Sequence, residues 1–101
     1  MRSLSHPDLG SVALPDVLAA FADPVRLSLV QQMASSAGIV CGQFDALQTV
    51  SMSTVSHHLK ILREAGVIRI TQDGRFRRHE VRRDELEERF PGLVDALATS
   101  W

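Results

Sequence analysis

Between Ser51 and Gly66 the chain reads Ser-Met-Ser-Thr-Val-Ser-His-His-Leu-Lys-Ile-Leu-Arg-Glu-Ala-Gly, a stretch that allows little except one capped helix with two unlike faces. Ser51 is placed to N-cap it, and Gly66 to end it as the left-handed residue beyond the last turn. Val55, Leu59 and Leu62 recur at i, i+4 and i+7 and form a packing face. Ser53, Ser56, His57 and Lys60 recur at i, i+3, i+4 and i+7 on another side. Small hydroxyls, an imidazole and an ammonium group near a helix N-terminus suit a DNA major groove, because nothing bulky holds the helix away from base edges and phosphates.

The flanking segments fix what surrounds this helix. Leu14, Val17, Leu18 and Phe21 make an apolar stripe that predicts a first helix, with Pro15 at an early position. Asp23-Pro24 reads as an N-cap followed by Pro at the first helical position, opening a second helix to about Ser36 that Ala37-Gly38 ends. Residues 39–47 contain a short third helix with Phe44 and Leu47 inward, and a turn of about four residues leads to Ser51. After Gly66, two strand-like runs, Val67-Ile-Arg-Ile-Thr and Phe76-Arg-Arg-His-Glu-Val, are joined by Gln72-Asp-Gly-Arg75, a strong hairpin signal. The fold class is therefore mainly α with a β-hairpin wing, a winged helix-turn-helix. Asp84 and Glu87 have the spacing of a capping-box start to a last helix. Leu86, Phe90, Leu93, Val94 and Leu97 form one stripe that runs past Pro91-Gly92, which predicts a kink. Residues 1–11 lack periodicity and read as a flexible N-terminal arm, leaving 12–101 as one domain.

At 101 residues the core is small for a monomer, so a second copy is a natural source of further burial. The stripes of the first and last helices are the candidate dimer interface: Leu14, Val17, Leu18, Phe21, Leu86, Phe90, Leu93, Val94 and Leu97. One cysteine allows no intrachain disulfide, no apolar run is long enough to span a membrane, and Met1-Arg-Ser-Leu-Ser-His-Pro-Asp has no signal-peptide core. A cytoplasmic location is expected. The net charge of −1 hides a polarised distribution. Residues 53–83 carry eight basic and three acidic side chains, a net +5, whereas the rest of the chain carries three basic and nine acidic, a net −6. One part of such a molecule can be steered to a polyanion while the other is repelled.

Two segments resemble the ArsR/SmtB family of small winged-helix transcriptional regulators over nearly the whole chain after residue 11. Phe21-Ala-Asp-Pro-Val-Arg-Leu27 is similar to the family's Leu-Ala-Asp-Pro-Thr-Arg-Leu, and Ser53-Thr-Val-Ser-His-His-Leu-Lys-Ile-Leu-Arg-Glu-Ala-Gly-Val-Ile68 to its recognition helix. The resemblance implies a homodimer held by first and last helices, acting as a repressor on an inverted-repeat operator in double-stranded DNA. It places DNA contacts at Ser53, Thr54, Ser56 and His57, with Arg75, Arg77 and Arg78 in the wing. The family's metal-sensing Cys-Val-Cys is replaced by Val40-Cys-Gly-Gln-Phe44, and the terminal helix has no histidine or cysteine. No metal site and no cofactor are expected at those places.

The candidate DNA-binding set is thus Met52, Ser53, Thr54, Ser56, His57, Lys60, Arg75, Arg77 and Arg78. Adjacent His57 and His58 point about 100° apart on a helix and do not form a zinc pair, and His58 lies nearer the apolar side, as a packed or capping residue would. Cys41, at the start of a short helix, is a candidate redox thiol, with a small buried apolar residue as the alternative. Arg69, Arg82 and Arg83 have an alternative role as partners of the Glu85 to Glu88 cluster. There is no Gly-rich phosphate loop, Gly-x-Ser-x-Gly or His-Glu-x-x-His, so catalysis is not expected. Two other readings stay open: a partner-dependent module with a regulatory protein partner and weak DNA binding alone, and a metal-responsive regulator with a non-standard site.

Overall fold

Asp23 and Ser51 start the two helices that organise the domain. In the computed structural model, which describes residues 2–3, 5–34, 39–40 and 51–99, the Asp23 carboxylate accepts from the backbone N–H groups of Val25 (2.8 Å) and Arg26 (3.1 Å). These bonds, the Arg26 N–H first, hold the Asp23 carboxyl below its ordinary range. Ser51 Oγ accepts from Thr54 N–H at 3.3 Å. The elements are β1 (Arg2–Ser3), a 3-10 turn (Leu9–Ser11), α1 (Leu14–Phe21), α2 (Pro24–Ala34), β2 (Ile39–Val40), α3 (Met52–Glu64), β3 (Ile68–Asp73), β4 (Phe76–Val81), α4 (Arg83–Arg89) and α5 (Leu93–Thr99).

Helix α3 ends as its sequence requires. Gly66 adopts φ +84°, its N–H donates to the Arg63 carbonyl, and the Val67 N–H reaches back to the Leu62 carbonyl at 3.0 Å. This pair of bonds turns the chain directly into β3. Gly66 is required twice over, because a Cβ there would stand 2.9 Å from Leu9 Cδ2. The hairpin turns on Gly74-Arg75 alone, with the strands paired out to Asp73 and Phe76. Only Gly74 has positive φ (+62°), the pattern of a type II′ turn with Gly first, so the turn is tighter than the four residues expected. The sheet order is β1-β3-β4-β2, every pairing antiparallel. Val17 and Phe21 of α1, Leu29 and Met33 of α2, Val55, Leu59 and Leu62 of α3, and Ile68 and Ile70 of β3 meet in the core.

Several expectations are corrected. Residues 1–11 are not a free arm where they are described. Arg2–Ser3 pair with Gln72 and Thr71, Leu9 is buried, and His6 Nε2 accepts the Ile70 N–H at 2.9 Å beyond the end of β1. Arginines from the body hold the segment by its carbonyls: Arg63 on Ser5, Arg82 on Pro7 (2.8 Å) and Arg89 on Val12 (3.3 Å). Ile39–Val40, expected to lead into a short helix, pair with His79 and Arg78 of β4. The remainder of that expected helix, with Phe44, Leu47 and Cys41, lies outside the described residues.

The terminal helix is broken rather than kinked. Pro91 disfavours a helical residue before it, and Phe90 sits at φ −135°, ψ 76°. Gly92 then takes φ +83°, its N–H donates to the Glu87 carboxylate, and α5 restarts at Leu93. Asp84 is not the cap of α4, because the cap position is Arg82; Asp84 and Glu85 lie in the first turn, where carboxylates complement the helix dipole. Of the residues expected at a dimer interface, Val17, Phe21, Leu86 and Val94 are consumed by the chain's own core. Leu14 and Leu18 stay exposed at 41% and 47%, and Phe90, Leu93 and Leu97 are half-buried at the core's edge.

Candidate nucleic-acid interface

Because Val55, Leu59 and Leu62 hold one side of α3 in the core, the opposite side is forced outward: Ser53, Thr54, Ser56, His57 and Lys60 are all exposed. At the N-terminus of α3 three hydroxyls gather, with Ser51 Oγ 3.2 Å from Ser53 Oγ and 2.9 Å from Thr54 Oγ1. Helix-end amides and hydroxyls together suit a phosphate or the acceptors of base edges. Lys60 stands 3.8 Å from Glu64, both exposed, a contact too weak to withhold the ammonium from an anion. The backbone of Met52 begins the helix, as expected.

The hairpin brings its own charges beside this face. Gln72 links its two strands at the tip by donating to the Gly74 carbonyl (2.8 Å) and accepting from Arg77 Nε (3.3 Å). Ser56, Leu59, Lys60 and Arg63 of α3 and Ile70, Arg77 and His79 of the hairpin line one cleft of about 220 Å³. Arg77 therefore joins Ser56 and Lys60 in one place. Arg75 is exposed at the turn. Strand alternation puts Arg78, half-buried, on the other face of the hairpin from Arg77, together with the exposed Phe76.

Arg63 is a cleft residue absent from the sequence-based set. Its signal was there: it lies seven residues after Ser56 and three after Lys60, on the same side of the helix. Of the other arginines, Arg69 and Arg82 both pair with Glu85, the latter at 2.7 Å, and Arg83 pairs with Asp95 at 2.9 Å instead of with the Glu85 to Glu88 cluster. The Arg82 hydrogen bond holds the Glu85 carboxyl below its ordinary range, with Arg69 adding to the effect. The His57 and His58 rings lie 6.0 Å apart at 52°, and His58, half-buried, is 3.2 Å from Arg26 Nη1. Among the described residues no three His, Cys, Asp or Glu side chains are grouped to hold a metal ion, and no helix is long and apolar enough to cross a membrane.

Residues 21–71 match a helix-turn-helix domain family. The chain is 32% identical over 83 residues to an uncharacterized HTH-type transcriptional regulator of Methanocaldococcus jannaschii, covering 81% of this chain and 91% of that protein. It is 28% identical over 82 residues to an HTH-type transcriptional regulator of Bacillus subtilis, covering 80% and 82%. It is also 43% identical over 63 residues to the HTH-type transcriptional repressor SmtB of Mycobacterium tuberculosis, covering 62% of this chain and 46% of that one. These relatives are named as regulators of transcription, not as enzymes.

Proposed function

Because the chain belongs to the ArsR/SmtB family of helix-turn-helix transcriptional regulators, we propose that it is a homodimeric repressor that reads an inverted-repeat operator with one α3 and one hairpin per subunit. The observation that carries this reading is the cleft in which Ser56, Lys60 and Arg63 of α3 meet Arg77 of the hairpin. An anionic backbone seated there lies alongside the outward hydroxyls and His57. In this reading Ser53, Thr54, Ser56 and His57 meet base edges or nearby phosphates, while Lys60, Arg75 and Arg77 meet phosphates and Arg78, on the other face of the hairpin, stands outside the cleft. Residues 12–101 act as one DNA-binding and dimerisation unit, with the N-terminal strap fastened to it.

The subunit contact uses what the core leaves uncovered. Leu14 and Leu18 stand out from α1, and Leu14 shares a shallow depression with Phe90, Pro91, Gly92 and Leu93 beside it. Repression is supported by the mycobacterial relative, which is a named transcriptional repressor.

The test is a titration of the purified protein against a fragment from upstream of its own gene and against random DNA, over a salt series with and without zinc. Selective binding to the upstream fragment is expected. Ser56→Ala and His57→Asn should each weaken it by about 1 to 3 kcal/mol per direct base contact while scarcely changing binding to random DNA. Equal losses on both DNAs would remove base reading from these residues.

A further inference from the structure

Arg26, in the first turn of α2, reaches two other helices at once. Its Nε donates to the Ala20 carbonyl at 2.8 Å and its Nη2 to the Ala19 carbonyl at 3.5 Å, both in the last turn of α1. Its Nη1 lies 3.2 Å from Nδ1 of His58, in the middle of α3. Its backbone N–H is fixed by the Asp23 carboxylate, so the guanidinium is held at its root as well as at its tip. A guanidinium has only donors, so this contact is a hydrogen bond only when His58 Nδ1 offers its lone pair and the ring carries its proton on Nε2. His58 directly follows His57, whose ring faces outward.

We propose that Arg26 is a positioning residue for the DNA-facing helix: through His58 it fixes the rotation of α3 relative to the end of α1. This rests on the DNA-binding reading above. A change of partner at Leu14 and Leu18 on α1 is thereby connected to the helix that carries Ser56 and His57. The tie works only while His58 is neutral. Protonation turns its acceptor into a donor and sets two cations face to face. The charged and titratable groups around it are Arg26 and Asp23 from the α2 side and His57 on its own helix, while α1 presents carbonyls. Asp23 offsets part of the repulsion and does not restore the bond.

The experiment measures affinity for the upstream fragment between about pH 8 and about pH 5.5 for the wild type, Arg26→Gln, His58→Gln and His57→Gln. A glutamine at position 58 offers an amide oxygen to Arg26 at every pH. At the upper pH, His58→Gln should bind within about two-fold of the wild type and Arg26→Gln about ten-fold more weakly. On acidification the wild type should fall toward the Arg26→Gln level, His57→Gln should lose affinity by a similar factor from its own weaker starting point, and His58→Gln should not fall. Parallel pH profiles for the wild type and His58→Gln overturn the proposal, as does full affinity in Arg26→Gln. Should Arg26→Gln fail to fold, the His58→Gln profile decides alone. If Ser56→Ala and His57→Asn leave binding intact, the DNA-binding reading itself falls, whereas losses there with parallel profiles remove only the role of Arg26.

Discussion

Two groups of arginines from the same basic stretch meet opposite fates. Arg69, Arg82 and Arg83, at the root of the hairpin and the start of α4, are bound internally to Glu85, Asp95 and the carbonyls of Pro7 and Ala34. Arg75 and Arg77, at the tip, are exposed, and Arg77 has one weak bond to Gln72. The first group ties the N-terminal segment and α4 to the sheet; the second stands exposed at the tip, where the proposed function puts DNA phosphates. The net +5 of residues 53–83 thus overstates the charge on offer to DNA, because two carboxylates from outside that stretch, Glu85 and Asp95, sit against these three arginines and offset part of their charge.

That contrast can be broken by stability measurements. The Arg82 side chain is 5% exposed and makes a two-pronged contact with Glu85 as well as its bond to Pro7. Arg82→Ala should lower the unfolding free energy in urea by about 2 to 3 kcal/mol, discounted from a fully buried pair because Glu85 itself is 40% exposed. Arg77→Ala should stay within about 0.5 kcal/mol. Equal losses would erase the distinction between root and tip.

A smaller effect is expected in acid. The Glu85 carboxyl, held by Arg82 and then Arg69, titrates below its ordinary value of 4.5. Its stabilising contribution is therefore complete above that value and disappears as the pH falls through the lowered folded one. Urea midpoints followed into acid should decline more steeply for the wild type than for Glu85→Gln below about pH 4.5. Coincident declines would mean that the root arginines do not hold this carboxylate in solution. The smallest effect sharpens the comparison from the other side: Arg77→Ala should reduce the salt dependence of DNA binding by about one log unit per log unit of salt, and Arg83→Ala should leave it unchanged.

What could be read in the chain beforehand follows the range of the forces involved. Helix α3 was legible from Ser51 to Gly66 because its cap, its stop and its apolar spacing are all local, and the outward positions of Ser56, His57 and Lys60 follow from them. The N-terminal strap was not, because it is held by carbonyls that accept from arginines 58, 75 and 77 residues away, and a carbonyl carries no mark of its partner. Pro91 announced a disruption, but whether a helix bends or breaks there depends on Gly92 and Glu87 closing the gap between α4 and α5. Periodicity put Leu14 and Val17 on one stripe without saying that one would be exposed and the other buried. Parity along β4 separates Arg77 from Arg78, once one residue of that strand is known to face α3.

The outer edge of β3 is closed by the two residues of β1 and by one imidazole. An unprotected strand edge of that kind is where copies of a protein zip onto one another and come out of solution. Arg2, Ser3 and His6 therefore cover the edge along which such zipping would begin. Shortening the chain by six residues leaves the core residues Val17, Leu29 and Leu62 in place and should bare that edge, so light scattering on standing is expected to rise above that of the full chain.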